Sequence, residues 1–328
     1  MTLSHTNPQS PSSVVMIRPH HFNPNPETLA DNGFQTLSYD ANRKNLSDRA
    51  YLEFTQAVKL LKNSGIKVHL FEDESHHTPD SVFPNNWFST HPEGKVALYP
   101  MYAPNRRKER RSDVVEMLKS EYQVCQIVDY SSSEQEDLYL EGTGAMVIDH
   151  IDRVAYMIPS NRANPTLFER FCRQFNYKPF VFTALDLDDN LIYHTNVFMS
   201  IASHFAVLSL QMIPDVTQRE NIVQSLSRSG RDIIDISAEQ VYQFAGNCIE
   251  LTGDSGKILV LSRSAFNSLT KEQIATIEKS AVLLPLNVET IELAGGSVRC
   301  MIAGIHLLPT KTNSSFTQVK QGVAYDNC

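Results

Sequence analysis

No stretch of the 328-residue sequence approaches the roughly 20 consecutive apolar residues that a membrane-spanning helix needs, so no membrane association is expected. A basic surplus is also missing. Lys and Arg number 29 against 37 Asp and Glu, and a net charge of −8 leaves nothing to neutralise nucleic-acid phosphates. The polar first 13 residues, with their Ser, Thr and Pro, lack the apolar core of a signal peptide. The expectation is therefore a cytoplasmic protein with a disordered tail at 1–13, one domain over 14–310 and a C-terminal tail at 311–328. Cysteine is sparse: positions 125, 172, 248, 300 and 328 form an odd, widely spaced set that suits neither a disulfide framework nor a zinc site. The adjacent histidines His20/His21 and His76/His77 have no matching Cys, Asp or Glu cluster, and neither a metal nor a cofactor is expected.

What is present is a globular composition, 41% apolar and 20% charged, on a chain long enough to bury a sizeable core. The helices are the easiest elements to place. Ser47–Asn63 carries Tyr51, Phe54, Val58 and Leu61 at spacings of three and four, and a strand follows at Ile66–Leu70. A second helix is predicted over 106–120, with the strand Gln123–Val128 after it. A third begins at Asn164-Pro165, a cap followed by proline at the first helical position, and leads to Pro179–Thr183. A fourth spans Asp215–Arg228 before Asp232–Ile236. A fifth starts at Thr270, with Thr270 and Gln273 spaced as a capping box, before Ala281–Pro285.

Two strand candidates precede each of the last four helices. They are Trp87–Ser89 with Val96–Tyr99, Ala145–Ile148 with Val154–Ile158, Val197–Ile201 with Phe205–Leu210, and Cys248–Leu251 with Ile258–Leu261. The pair missing before the first helix can come from Met301–Leu307 and Val14–Ile17. The chain thus reads as an α/β fold of five strand–strand–helix–strand units with pseudo-fivefold symmetry, a five-bladed α/β propeller closed by its own ends. An ordinary α/β or α+β domain with coincidental spacing is the competing reading.

The position of the polar motifs favours the repeat. Asn86, Glu141, His194, Asn247 and Cys300 each lie just before the first strand of a unit, separated by 55, 53, 53 and 53 residues. In a closed ring, equivalent positions converge on the axis, which gathers Asn, Glu, His, Asn and Cys around one pocket. A thiol is mostly protonated at neutral pH and needs a base or cation beside it, so Cys300 and His194 form a natural nucleophile and acid/base pair. Cys125 and Cys172 are expected on apolar faces and Cys248 within a strand, each as a small hydrophobe.

Several segments resemble the guanidine-modifying enzymes of the pentein fold, which include dimethylarginine dimethylaminohydrolase, arginine deiminase and the amidinotransferases. Pro79–Phe83 is similar to the family's PDSVF segment, Ala103–Glu109 to its AP-S-RRKE helix start, and Leu140-Glu141-Gly142 to its LEGGD turn. Ser160–Asn164 resembles SKRTN, His194–Ala202 the segment opened by the catalytic histidine, and Asn247-Cys248-Ile249 the NCI strand. Ser297–Cys300 falls on the nucleophile. The class most similar is the citrulline-utilisation hydrolase, often labelled a putative amidinotransferase, whose FPNNW turn stands here as Phe83–Trp87.

The resemblance implies a cofactor-free hydrolase of the C–N bond at the end of a small amino acid. Cys300 would be the nucleophile, His194 the acid/base, and Glu141 the support of the histidine and a contact to substrate nitrogen. Arg107 and Arg162 would hold the substrate carboxylate and Asp80 its α-amine, with Asn85, Asn86, Asn196 and Asn247 as further binding residues. Where guanidinium-binding relatives carry acidic groups, this chain has Asn85, Asn86, Asn196 and Gly144. An uncharged amide suits a neutral ureido group better than a cation, which points to citrulline, cleaved to ornithine, carbon dioxide and ammonia. An amidinotransferase or arginine deiminase/dihydrolase acting on a cationic guanidine, and a non-catalytic binding ring, are the alternatives. The partner is a small amino acid, and a homodimer is left open.

Overall fold

The computed structural model describes residues 9–36 and 43–310; Cys328 and the C-terminal tail lie outside them. The first helix runs Arg43–Asn63, four residues longer at its start than its apolar stripe predicts. Leu46, Ala50, Phe54, Val58 and Leu61 recur every three or four residues and are all buried. The helix ends where Gly65 adopts a φ of +84°, a left-handed conformation that a side chain resists. The Gly65 N–H then bonds Lys62 O and the Ile66 N–H bonds Leu61 O, both at 3.1 Å.

Five three-stranded sheets follow one plan: an antiparallel pair, then a third strand parallel to the middle one. A right-sized helical crossover supplies that parallel return. In chain order the sheets are Phe88–His91, Lys95–Leu98 and Gln126–Asp129; Met146–Asp149, Val154–Met157 and Lys178–Val181; Met199–Ile201, Phe205–Leu208 and Asp232–Asp235; and Ile249–Gly253, Gly256–Ser262 and Val282–Leu286. The remaining sheet joins the two ends of the domain. Ser13–Pro19 pairs antiparallel with Ala303–Gly304 (Val14 opposite Gly304) and parallel with Lys67–Asp73 (Val14 opposite Val68). First strands of neighbouring sheets lie side by side, Met146–Asp149 against Met199–Ile201 and Met199–Ile201 against Ile249–Gly253. No helix among the described residues is long and apolar enough to cross a membrane.

Caps are where the sequence predicts them. Asn164 accepts from Thr166 N and Leu167 N with Pro165 at the first helical position, and Thr270 and Gln273 close a capping box before Lys271–Glu278. Three expectations need correction. The helix predicted over 106–120 is two pieces, a 3₁₀ segment Pro104–Glu109 and a helix Ser112–Glu121, because Arg110 and Arg111 between them are extended. Their side chains reach in different directions, Arg110 to Glu134 and Arg111 to Glu72 O, which one continuous helix would not permit. The strand expected over Met301–Leu307 shrinks to Ala303–Gly304, since Val298–Met301 forms a helical turn. Residues 9–12, assigned to the tail, are packed: the Gln9 amide donates to Ile148 O and Ile201 O at 3.1 and 2.9 Å.

Phe54 is fully buried in the cluster that also holds Met16, Val82 and Cys300. Phe54→Ala is expected to destabilise the domain by about 3–5 kcal/mol, measured by denaturant unfolding.

Candidate active site

The five regularly spaced polar residues sit on or beside short turns. Pro84–Asn86 is a 3₁₀ turn, Glu141 caps the one-turn helix Gly142–Ala145, His194 precedes Thr195–Phe198, Asn247 precedes Ile249–Gly253, and Cys300 lies in Val298–Met301. Gly142–Ala145 packs against Pro84–Asn86 and Thr195–Phe198, and Val298–Met301 against Pro84–Asn86. Asn86, Glu141, His194, Asn247 and Cys300 are all buried, at 0 to 2% exposure.

The Cys300 sulfur is held by amides. Asn196 Nδ2 and Asn247 Nδ2 each lie 3.3 Å from Sγ. Asn247 Oδ1 accepts from Ser297 N and Arg299 N at 3.1 Å, which fixes its NH₂ toward the sulfur. Burial pushes the Cys300 thiol above its ordinary value, against the opposing pull of Asn247, Asn196 and Arg299. Asn196 and Asn247, expected on the substrate, are thus ligands of the sulfur. Cys172 and Cys248 are buried as expected, with thiols pushed up by burial to about 12 and 11, whereas Cys125 is exposed.

His194 Nε2 lies 2.9 Å from Glu141 Oε2. A neutral imidazole that donates from Nε2 keeps its lone pair on Nδ1. Burial lowers His194, and Glu141 only partly offsets that effect. Glu141 Oε1 accepts from Tyr102 N at 3.0 Å, while Arg106 and Arg162 approach Oε2 at 3.4 and 3.8 Å. Burial works to raise the Glu141 carboxyl, but Arg162, the His194 hydrogen bond and Arg106 outweigh it and bring it down to about 2. Gly144 makes this packing feasible. A Cβ there would fall 2.2 Å from Asn86 Nδ2 and 2.8 Å from His194 Nδ1.

Cys300 and His194 line one small cavity with Asp80, Asn86, Arg106 and Arg162. It encloses about 10 Å³, the room of a single water, so an amino acid enters only if its wall shifts. Asp80 is 3% exposed; its Oδ2 accepts from Asn25 Nδ2 at 2.8 Å and Oδ1 has no partner. Arg162 pairs with Asp31 through Nε and Nη2 and leaves Nη1 toward Glu141. The arginine register is corrected. Arg106 faces the cavity, bonding Asn86 Oδ1 at 2.8 Å and Glu109 through Nε and Nη2. Arg107 turns outward to Met101 O and Tyr102 O. Asn85 does not line the cavity; it is buried behind Asn86, accepting from its amide at 3.1 Å.

Sequence reasoning missed Arg106, Asn25, Asn32 and Tyr193. Tyr193 carried a signal in its position beside His194, on which its ring stacks with centroids 4.6 Å apart. The two histidine pairs meet through His21 and His76, whose rings stack at 3.6 Å. No group of three His, Cys, Asp or Glu among the described residues is placed to hold a metal.

Two outcomes are expected. Since its folded-state value is raised, Cys300 is less ionised than a free thiol at neutral pH, and its alkylation rate should keep climbing above the ordinary thiol value of about 8.5. Iodoacetamide kinetics against pH measure this; a plateau below that value contradicts it. Gly144→Ala should displace Asn86 or His194 and cost about 100-fold in turnover, with the circular dichroism spectrum retained.

The sequence profile described as N,N dimethylarginine dimethylhydrolase, eukaryotic, matches residues 18–307. No curated protein sequence matches the chain. Among solved structures, the substrate-bound N-terminal domain of ArgZ, an arginine dihydrolase from the ornithine–ammonia cycle in cyanobacteria, aligns with a TM-score of 0.69 at 15% identity. That alignment covers 89% of this chain and 97% of the ArgZ domain. Unliganded AgrE gives 0.71 at 16% identity over 92% of this chain but 40% of its own. A dimethylarginine dimethylaminohydrolase in an adduct with S-methyl-L-thiocitrulline gives 0.59 at 14% identity, covering 89% and 99%. At such identities the structures attest a shared fold, and the profile match assigns the lineage. The chain belongs to the dimethylarginine dimethylhydrolase family of guanidino-modifying enzymes.

Proposed function

We propose that this protein is a cysteine hydrolase of a small amino acid, cleaving citrulline to ornithine, carbon dioxide and ammonia. The observation that carries the substrate choice is the charge of the cavity wall. Asp80 is the one carboxylate among the described residues lining it, facing two arginines, Arg106 and Arg162. A wall with one carboxylate matches a substrate with one cation. Citrulline brings one ammonium, one carboxylate and a neutral ureido end. Arginine brings two cations, and the groups that touch the Cys300 sulfur are amides.

In this reading Arg162 and Arg106 face the substrate carboxylate and Asp80 its ammonium. The Cys300 thiol passes its proton to His194, and Sγ attacks the ureido carbon. The bond from that carbon to the δ-nitrogen breaks, and the nitrogen leaves as ornithine with the proton from His194. Glu141 stabilises the transient imidazolium. Water, deprotonated by His194, then attacks the S-carbamoyl carbon; the thiol is regenerated and carbamate falls to carbon dioxide and ammonia. We read the five sheets as blades of a closed propeller, a view supported by the pairing of Ser13–Pro19 with Ala303–Gly304.

A second reading, arginine hydrolysis, gains from the unpartnered Asp80 Oδ1, which could accept from a guanidinium instead. ArgZ and AgrE were solved with arginine or ornithine among their ligands or products, so the comparison is worth making directly.

A panel of citrulline, arginine and dimethylarginine, with ornithine, citrulline and ammonia quantified, decides between them. Citrulline should be consumed fastest, and faster turnover of arginine overturns the choice. Cys300→Ser should lose at least about 10³-fold in turnover; full activity would refute the nucleophile.

A further inference from the structure

Adjacent residues on the one-turn helix Val298–Met301 face different cavities. Cys300 lines the one above, whereas Arg299 lines a second that shares no residue with it. This second cavity encloses about 50 Å³. A water needs about 10–15 Å³ on that measure, so the space takes roughly four or five heavy atoms.

Its wall carries two charges that do not meet. Arg299 donates from Nη1 to Ile302 O at 2.9 Å, and among the described residues no carboxylate lies within ion-pair distance of it. Burial lowers Arg299 to about 10, as expected of a guanidinium without an acid partner. Glu250 is 2% exposed; its Oε2 accepts from Ser203 N at 3.0 Å and lies 3.4 Å from Lys257, but its Oε1 has no hydrogen-bond partner. Apart from the imidazoles of His150 and His306, Arg299 is the one cationic and Glu250 the one acidic residue lining the cavity. Burial holds the His150 imidazole well below its ordinary value, hence uncharged, so it does not compete with Arg299 for an anion.

Leaving a buried charge unmatched and a buried oxygen unsatisfied is unfavourable on both counts. A simple anion would answer Arg299 and be repelled by Glu250; a simple cation would do the reverse. We propose that this cavity is a second ligand site, separate from the cysteine site, that binds a small zwitterionic amino acid of glycine or alanine size. Its carboxylate would lie on Arg299 and its ammonium on Glu250 Oε1. The proposal does not depend on which substrate Cys300 attacks.

Equilibrium dialysis of the Cys300→Ser protein with labelled glycine and alanine tests it, with acetate and methylamine as singly charged controls. The expected result is one glycine or alanine bound per chain, with both controls at least tenfold weaker. Glu250→Gln, which keeps an acceptor for Ser203, and Arg299→Gln should each weaken binding at least tenfold, while Asp80→Asn in the other cavity leaves it unchanged. Absence of glycine and alanine binding overturns the site. Acetate binding as tightly as glycine, or loss of binding in Asp80→Asn with retention in Glu250→Gln, overturns it equally.

Discussion

The centre of this molecule depends on one carboxylate with no access to water. Glu141 is fully buried, and an uncompensated ion in that position would cost several kcal/mol. It is answered by Tyr102 N, His194, Arg106 and Arg162, drawn from four separate stretches of chain. Each arginine brought to it is itself buried and takes a second acid, Glu109 for Arg106 and Asp31 for Arg162. The charge network therefore ties the loop at 25–32 and the turn at 104–109 to the short helix behind the histidine. Loss of Glu141 would leave two cations and an imidazole with less compensation than the fold supplies now.

The sulfur lies in the opposite kind of environment. Its nearest polar neighbours are two amides, whose orientation is set by the backbone of the turn that carries it. Thiol and imidazole are both displaced toward their uncharged forms, each chiefly by burial. The pair is thus neutral at rest. Charge separates only when a proton passes to His194, and the carboxylate that would stabilise the resulting imidazolium is already 2.9 Å away. An ionised Glu141 and an un-ionised Cys300 are complementary parts of one arrangement.

Much of this was legible in the sequence, for identifiable reasons. Helix periodicity and capping residues located four of the five crossovers well, and the near-constant spacing of positions 86, 141, 194, 247 and 300 marked residues that are all buried near one centre. The second crossover failed because Arg110 and Arg111 look like helix-forming residues while their ion pairs hold them extended. That break also hid the arginine register. In a 3₁₀ turn residues three apart eclipse, so Arg106 and Glu109 face inward together and Arg107 cannot. Asn196 and Asn247 were recognisable as site residues, but no pattern could say that their amides grip the nucleophile. Partners such as Asn25 and Asp31 carry no motif; only the folded chain brings them to Asp80 and Arg162.

The departures from the family's acidic pattern are mechanically coupled. Gly144 stands where the resembled turn has an aspartate, and the space that a side chain there would fill is taken by the Asn86 amide and the edge of His194. Asn86 in turn offers Oδ1 to Arg106, a bond that a neutral acceptor can make without adding charge. An aspartate at 86 would place another anion beside Glu141 and Glu109, both already engaged by the same guanidinium. An aspartate at 144 would have no room while Asn86 stays where it is. Neither change is accommodated alone, so the neutrality of this wall is a property of the packing as a whole. That neutrality leaves Asp80 as the lone acid of the cavity and restricts how many positive charges a bound molecule can bring with it.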